Sequence, residues 1–239
     1  MSGVVQREGP STPSVADLGL ARVVLFADLP ETNLLGLARR LRRRRYARGA
    51  VVFLRGDPGD SLYIVTSGAI RIGLTSSEGK EMTLALRGPG EFFGELALLD
   101  GEPRSADAVA QEPSELLLLQ RGDFLAMVEE RPAVAIALLK VFSRRVRQGS
   151  QTVEDAAFLD VPARLAIAIL RLLEAQGEAD TPGAAIHARL TQTELAGMVG
   201  TRRESVNRWL RFYEDQGLIR YERGQLTVLR PDGLRKRVY

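Results

Sequence analysis

The 239-residue sequence contains no cysteine and a single histidine, His187. Without cysteine there can be no disulfides, thiolate metal sites, iron–sulfur clusters or cysteine nucleophiles. One histidine leaves little room for histidine-based catalysis or a histidine-rich metal centre. No nucleophile–base pair stands out either, so neither an enzyme nor a metalloprotein is expected. No apolar run approaches the roughly 18 residues of a membrane span. The N-terminus has no basic stretch leading into an apolar one, so no secretory signal is expected and the chain is assigned to the cytoplasm. Charge of one sign is also lacking: 33 Lys+Arg against 30 Asp+Glu leave a net of only +3. That near-balance averages two unlike parts. Up to Asp160, 20 bases face 21 acids, a net of −1; from Val161 onward 13 face 9, a net of +4. Such asymmetry points to a C-terminal part that faces nucleic acid. What is present, 45% hydrophobic and 26% charged residues, suits a globular chain long enough for two domains.

Residues 1–16 mix Gly, Pro, Ser and Thr without periodicity and read as a flexible lead-in. Leu34, Leu37 and Leu41 recur at helical spacing, which predicts a helix from Glu31 to about Arg43. Between Tyr46 and Leu119 the pattern changes to short β-rich segments: Val51–Leu54, Leu62–Val65, Ala69–Leu74, Met82–Leu86 and Leu116–Leu119. Turn chemistry separates them, at Arg48-Gly49, Gly56 to Asp60, Ser67-Gly68, Glu78-Gly79-Lys80 and Gly88-Pro89-Gly90. Strands punctuated this way predict a β-sandwich or jelly roll. The basic run Arg42 to Arg45 fits a solvated helix end or an edge strand.

From Pro132 to about Asp160 the period is helical. Val134, Leu138, Val141, Phe142 and Val146 form a stripe that continues through Val153 and Ala157. A helix this long exceeds what one small β domain can cover, so the stripe is expected to bury itself against a second copy in a parallel homodimer. Asp160-Val161-Pro162 ends that helix and begins another, and the domain boundary is placed there. The next helix should run to about Gln176, with Leu165, Ile169, Leu172 and Leu173 inward and Gly177 as its cap. The expected organisation is thus residues 17–131 for a β-roll, 132–160 for a dimerisation helix and hinge, and 161–239 for a DNA-binding domain. The fold class is α+β.

Thr191-Gln192-Thr193-Glu194 reads as a capping box, and Thr201-Arg202-Arg203-Glu204 repeats the pattern after Gly200. Two short helices joined by a glycine turn make a helix-turn-helix. The second helix should bury Val206, Leu210 and Tyr213, with Trp209 beside them in the core. Arg203, Glu204, Asn207 and Arg208 then share the exposed face. Arginine pairs bidentately with guanine O6 and N7, and glutamate accepts from cytosine N4, so this face can read a G·C-containing major groove. Helix N-termini at Thr191 and Thr201 would seat on phosphates. Taken alone, an arginine-rich face also fits a merely solvated helix, and Glu204 a mere cap. The segments Leu218–Tyr221 and Leu226–Leu229, joined by a turn at Glu222 to Gln225, add the wing of a winged helix.

The most specific signal is Phe92-Phe93-Gly94-Glu95-Leu96-Ala97-Leu98-Leu99 followed by Pro103-Arg104-Ser105-Ala106. Gly94 lets the backbone approach a ligand closely, and a short helix starting at Gly94-Glu95 points free amides at an anion. Arg104 supplies a planar fork for phosphate oxygens, Ser105 another donor, and Glu95 an acceptor for a ribose hydroxyl. Gly-Glu alone would fit a tight turn with an exposed Glu95–Arg104 ion pair; the whole cassette does not.

With these motifs in order, the chain from about Leu25 to Leu229 resembles the cyclic-AMP receptor protein family of bacterial transcription regulators, the CRP/FNR superfamily. The likeness rests on the cassette at Phe93 to Leu96 and Pro103 to Ala106, the hinge Ala157 to Val161, and the helix-turn-helix Leu190 to Leu210. It implies cyclic AMP as effector, with Glu95 on the ribose, Arg104 and Ser105 on the cyclic phosphate, and Gly94 with Leu96 as backbone cradle. It implies a base contact from the long helix through a Thr-Ser or Thr-Asn pair; here Gly149-Ser150 stands in that place, so Ser150 fits and Gly149 departs. It implies Arg203, Glu204 and Arg208 as base readers on a palindromic, TGTGA-like operator, with Thr191 and Gln192 on phosphates and RNA polymerase as a partner. The family's other branches fit less well, since iron–sulfur sensors need cysteine and haem-based sensors a histidine in the β domain. The remaining alternative is a regulator of the same fold that binds DNA without cyclic nucleotide or answers another effector.

Overall fold

The continuous apolar runs of the N-terminal half are explained by strands buried on both faces. A computed structural model describes residues 19–27, 29–77, 81–187 and 189–238; the lead-in at 1–16 and the Glu78-Gly79-Lys80 turn lie outside the described residues. The chain forms α1 (Glu31–Ala38), then β1 (Arg42–Tyr46), β2 (Val51–Phe53), β3 (Ser61–Ser67), β4 (Ile70–Thr75), β5 (Glu81–Arg87) and β6 (Phe92–Phe93). It continues with α2 (Leu96–Asp100), β7 (Asp107–Ala110), β8 (Ser114–Gln120), α3 (Arg121–Glu130) and α4 (Pro132–Phe158). The strands make two four-stranded sheets, ordered β1-β8-β3-β6 and β2-β7-β4-β5, a jelly roll. The described chain divides into two compact units, residues 19–77 with 84–145 and residues 81–83 with 146–238.

In the first unit, β3 and β8 pair antiparallel with Tyr63 opposite Leu118 and Ile64 opposite Leu117. Leu62, Ile64, Leu117 and Leu119 point to a core shared with α1, α3 and α4. Tyr63, Val65, Leu116 and Leu118 point the other way, between the sheets, with Phe93 and Ile70. A strand covered on both sides needs apolar residues at every position, and hence shows no alternation.

Two expectations change here, and one open alternative is decided. The first helix ends at Ala38 rather than near Arg43. Of the two readings of the basic run, the structure selects the edge strand: Arg42–Tyr46 pairs with β8, Arg44 lying opposite Leu116, with Arg43 and Arg45 both on Glu115 at 3.3 and 3.0 Å. And the long helix does not keep its whole stripe for a second copy. Val134, Leu138 and Val141 are buried against the chain's own β-roll, because α3 turns α4 back onto the sheet. Leu139, Val146 and Val153 remain 63, 68 and 69% exposed.

In the second unit the end of α4 is followed by α5 (Val161–Ala175), β9 (Ala184–Ala185), α6 (Gln192–Val199), α7 (Arg203–Asp215), β10 (Ile219–Glu222), β11 (Gln225–Val228) and α8 (Pro231–Arg235). Asp160 caps α5 by accepting from the Ala163 amide at 3.0 Å, with Pro162 in the first turn. Arg164 Nη1 donates to the Leu159 carbonyl at 3.0 Å, so the two helix ends at the break satisfy each other's neighbourhood. Leu165, Ile169 and Leu173 are fully buried, Leu172 half-buried, and Gly177 takes the left-handed conformation expected after the last turn. Tyr213 donates to the Pro162 carbonyl at 2.7 Å, tying α7 to the start of α5; burial pushes its phenol up to about 12. The β10–β11 hairpin turns at Arg223 and Gly224, both at positive φ, the backbone of a two-residue turn matched to strand twist.

Candidate functional site

The cassette is built by the short strand β6, which pairs Phe93 with Tyr63 and delivers Gly94 at φ 82° to the start of α2. A Cβ on Gly94 would fall 2.7 Å from Arg104 Nη1, and one on Gly59 only 2.3 Å from the Ala97 Cβ. Both glycines therefore exist to let backbone close around Arg104. Arg104 itself is only 4% exposed. Its guanidinium lies 4.3 Å above the Phe53 ring and 5.5 Å from Tyr63, and it donates to the Gly94 carbonyl at 2.6 Å and the Ser61 carbonyl at 2.8 Å. Burial lowers its pKa.

The alternative of an exposed Glu95–Arg104 pair fails. Glu95 is 4% exposed and bonds Arg145 of α4, Nη1 to Oε1 at 2.5 Å, while Arg145 Nη2 donates to the Phe92 carbonyl at 2.6 Å. On Arg104 and Glu95, two buried atoms are left without a hydrogen-bond partner: Arg104 Nε, a donor, and Glu95 Oε2, an acceptor. A phosphate oxygen would satisfy the first and a sugar hydroxyl the second. The donor set therefore fits a nucleotide. Leu96 is exposed at the start of α2, whose N-cap is Glu95, and Ser105 is exposed beside Arg104. Gly149 and Ser150 are exposed, on the part of α4 that belongs to the second unit.

Arg145 is the residue that sequence reasoning missed. The signal was present, since Val134, Leu138, Val141 and Arg145 continue one helical stripe at i, i+4, i+7 and i+11. An arginine in register with a buried stripe needs a carboxylate or a carbonyl beneath it.

In the second unit the first capping box is complete: Thr191 accepts from the Glu194 amide at 3.2 Å and Glu194 from the Thr191 amide at 2.5 Å. The second is not. The N-cap of α7 is Arg202, with no side-chain cap bond, and the Thr201 amide is spent on the Ala196 carbonyl. The left-handed Gly200 closes α6 so tightly that α7 starts one residue later than expected. Glu204 is therefore not a cap, and it has no ion-pair partner among the described residues. Arg202, Arg203, Glu204 and Arg208 are exposed and Asn207 half-buried, opposite buried Val206, Leu210 and Tyr213. Gln192 sits next to this face, accepting weakly from Arg203 Nε at 3.4 Å. Trp209, expected in the core, is only half-buried, edge-on to Phe212 at 5.5 Å and flanked by Arg208.

A jelly roll with an anion-ready cassette, joined in one chain to a winged helix with an arginine-rich α7, defines a DNA-binding transcription regulator with a cyclic-nucleotide-binding domain. Residues 43–131 match the family described as "Cyclic nucleotide-binding domain", and residues 163–237 the "Crp-like helix-turn-helix domain". The chain is 33% identical over 218 residues to the CRP-like cAMP-activated global transcriptional regulator of Mycobacterium tuberculosis, covering 91% of this chain and 97% of that one. It is 40% identical over 186 residues to the cyclic AMP receptor protein of Thermus thermophilus, covering 78% and 83%. Among solved structures, the c-di-GMP responsive global regulator CLP of Xanthomonas campestris superposes with a TM-score of 0.68 at 27% identity, covering 80% of this chain and 94% of that one. The chain belongs to the CRP/FNR family of transcription regulators.

Proposed function

We propose that this chain acts as a homodimer that binds cyclic AMP in the β-roll and, so loaded, binds palindromic, TGTGA-like operators. The observation that carries the effector assignment is the orphaned pair, Arg104 Nε and Glu95 Oε2, both buried in the cassette without a partner. Arg104 and Ser105 take the cyclic phosphate, Glu95 the ribose, and Gly94 with Leu96 the backbone contacts. Arg145 joins the two ends of the response, because it holds Glu95 from α4. A ribose hydroxyl that claims Glu95 must share it with, or take it from, that helix. Nucleotide binding thus bears directly on the element that leads to the DNA-binding residues 161–239. Coupling of this kind requires the nucleotide to prefer the DNA-competent state.

The dimer is supported by Leu139, Val146 and Val153, which are exposed and spaced by seven along α4, the repeat of a two-helix seam. Ser150 lies near that seam and would reach the base, whereas Gly149 offers no side chain there. For DNA, Arg203, Glu204 and Arg208 read bases, with Asn207 and Arg202 beside them, and Thr191, Gln192 and Thr201 near the phosphates. RNA polymerase is the expected further partner.

A second reading is favoured by the Xanthomonas relative, whose effector is c-di-GMP: a different nucleotide, or none, gates the same fold. Operator binding measured with and without cyclic AMP separates the two. A rise in operator affinity of roughly tenfold or more supports the first reading; equal binding in both conditions supports the second.

A further inference from the structure

The break between α4 and α5 leaves a cleft in the second unit that has no part in nucleotide or operator binding as proposed. The last two turns of α4, the middle of α5 and the residues at α8 border an open volume of about 430 Å³. Sites for small molecules run from roughly 300 to 1,000 Å³. The apolar wall comes from Phe158 and Leu159 at the end of α4, Ile167 and Leu170 on α5, and Val238 after α8. Phe158 is 81% exposed, so an aromatic ring stands in water beside an apolar cleft. Four charged side chains also line the cleft, and three of them are matched. Asp155, 7% exposed, takes Arg171 Nη2 at 2.6 Å. Arg235 is held by Asp180 and Asp232 at 2.5 and 2.8 Å and donates to the Ala179 carbonyl at 2.9 Å. The fourth, Glu154, is exposed; among the described residues it meets no cation and accepts only a long bond of 3.5 Å from Gln151 Nε2. The lining residues and their ion-pair partners thus carry four carboxylates against two guanidinium groups.

Glu154 and Phe158 are four residues apart, so carboxylate and ring are neighbours on one face of α4. We propose that this cleft binds a small organic cation, an ammonium or phosphonium with an aromatic or alkyl body. The apolar wall takes the body, and the Phe158 ring with the Glu154 carboxylate takes the charge, since aromatic faces attract cations electrostatically. An anionic ligand finds both guanidinium groups engaged and Glu154 repelling it. Leu139, Val146 and Val153, the seam of the proposed dimer, lie on nearly the opposite face of α4 from Gln151, Glu154 and Phe158, so a second copy leaves the cleft open. The occupant touches helices on both sides of the break at Asp160 to Pro162 and stabilises the arrangement of the two that it binds best. The cleft is separate from the cassette, and its ligand does not depend on the nucleotide reading.

Tetraphenylphosphonium and tetraphenylborate share a shape and differ in the sign of their charge, and calorimetric titration of each into the full chain tests the proposal. The phosphonium is expected to bind once per chain, roughly tenfold or more tighter than the borate. Glu154→Gln should weaken the phosphonium about threefold without weakening the borate. Phe158→Ala should weaken the phosphonium by about threefold or more. Both side chains are exposed, so both variants keep the fold, which an unchanged unfolding midpoint checks. Borate that binds as tightly as the phosphonium, or more tightly, overturns the cation and leaves a merely apolar cleft. Phosphonium affinity unchanged in either variant puts the ligand elsewhere and overturns the site. A wild type that does not bind the phosphonium overturns the proposal outright.

Discussion

The cassette and the α7 face use the same two side-chain types in opposite settings. Around Gly94, Arg104 and Glu95 are each 4% exposed and already engaged, one with backbone carbonyls and an aromatic ring, the other with Arg145. On α7, Arg203, Glu204 and Arg208 stand in solvent with little to release before they meet a partner. A buried charge carries a desolvation cost that its neighbours must offset, so a ligand entering the cassette exchanges partners rather than simply adding contacts. An exposed face carries no such cost and holds no such switch. In the proposed dimer, its reading of sequence would depend on how two copies are spaced along the duplex, about one helical turn apart. In the proposed function, regulation belongs to the buried pair and specificity to the exposed one.

The largest effect that tests this division comes from Arg104→Ala. It removes the charge-assisted donors for the phosphate, each worth about 1.5–3 kcal/mol. Cyclic AMP affinity is expected to fall by roughly 100-fold or more, with the thermal unfolding of the β-roll still cooperative. An unchanged calorimetric affinity would remove Arg104 from the site. On the exposed side, Arg203→Ala should cost about 1–3 kcal/mol on the preferred operator and relax specificity at one position. A loss spread evenly over all DNA sequences would make Arg203 a phosphate contact, and the difference between the two regions would then be one of burial alone.

How far each region could be read from sequence follows the same line. The β-roll was legible because β3 and β8 carry the apolar runs Leu62–Val65 and Leu116–Leu119 between turn residues, and the helix-turn-helix because Val206, Leu210 and Tyr213 keep helical spacing. Strand β1 was legible only as one of two readings, since four consecutive arginines fit a solvated helix end as well as an edge strand; the edge of β8 and Glu115, placed to meet Arg43 and Arg45, decide between them. The cassette residues were identifiable from type and order, but their partners were not. Nothing local says that Glu95 faces Arg145 across 50 residues, or that Arg104 turns inward onto Phe53, because both are outcomes of packing between elements far apart in the chain.

The smallest expected effect concerns two threonines that look alike in sequence. Thr191 and Thr201 each precede a helix and each has a glutamate three residues on. Only Thr191 makes the reciprocal bonds; at Thr201 the helix begins after Arg202 and neither bond forms. A satisfied N-cap is worth about 1 kcal/mol, so Thr191→Ala should lower the stability of the DNA-binding residues by about that amount in urea unfolding. Thr201→Ala should change it by less than about 0.5 kcal/mol. Equal losses would mean that α7 is capped at Thr201 in solution. Glu204 would then be occupied at the helix start, and the exposed face would be left with arginines alone, able to hold phosphates or guanines but without the acceptor that cytosine requires.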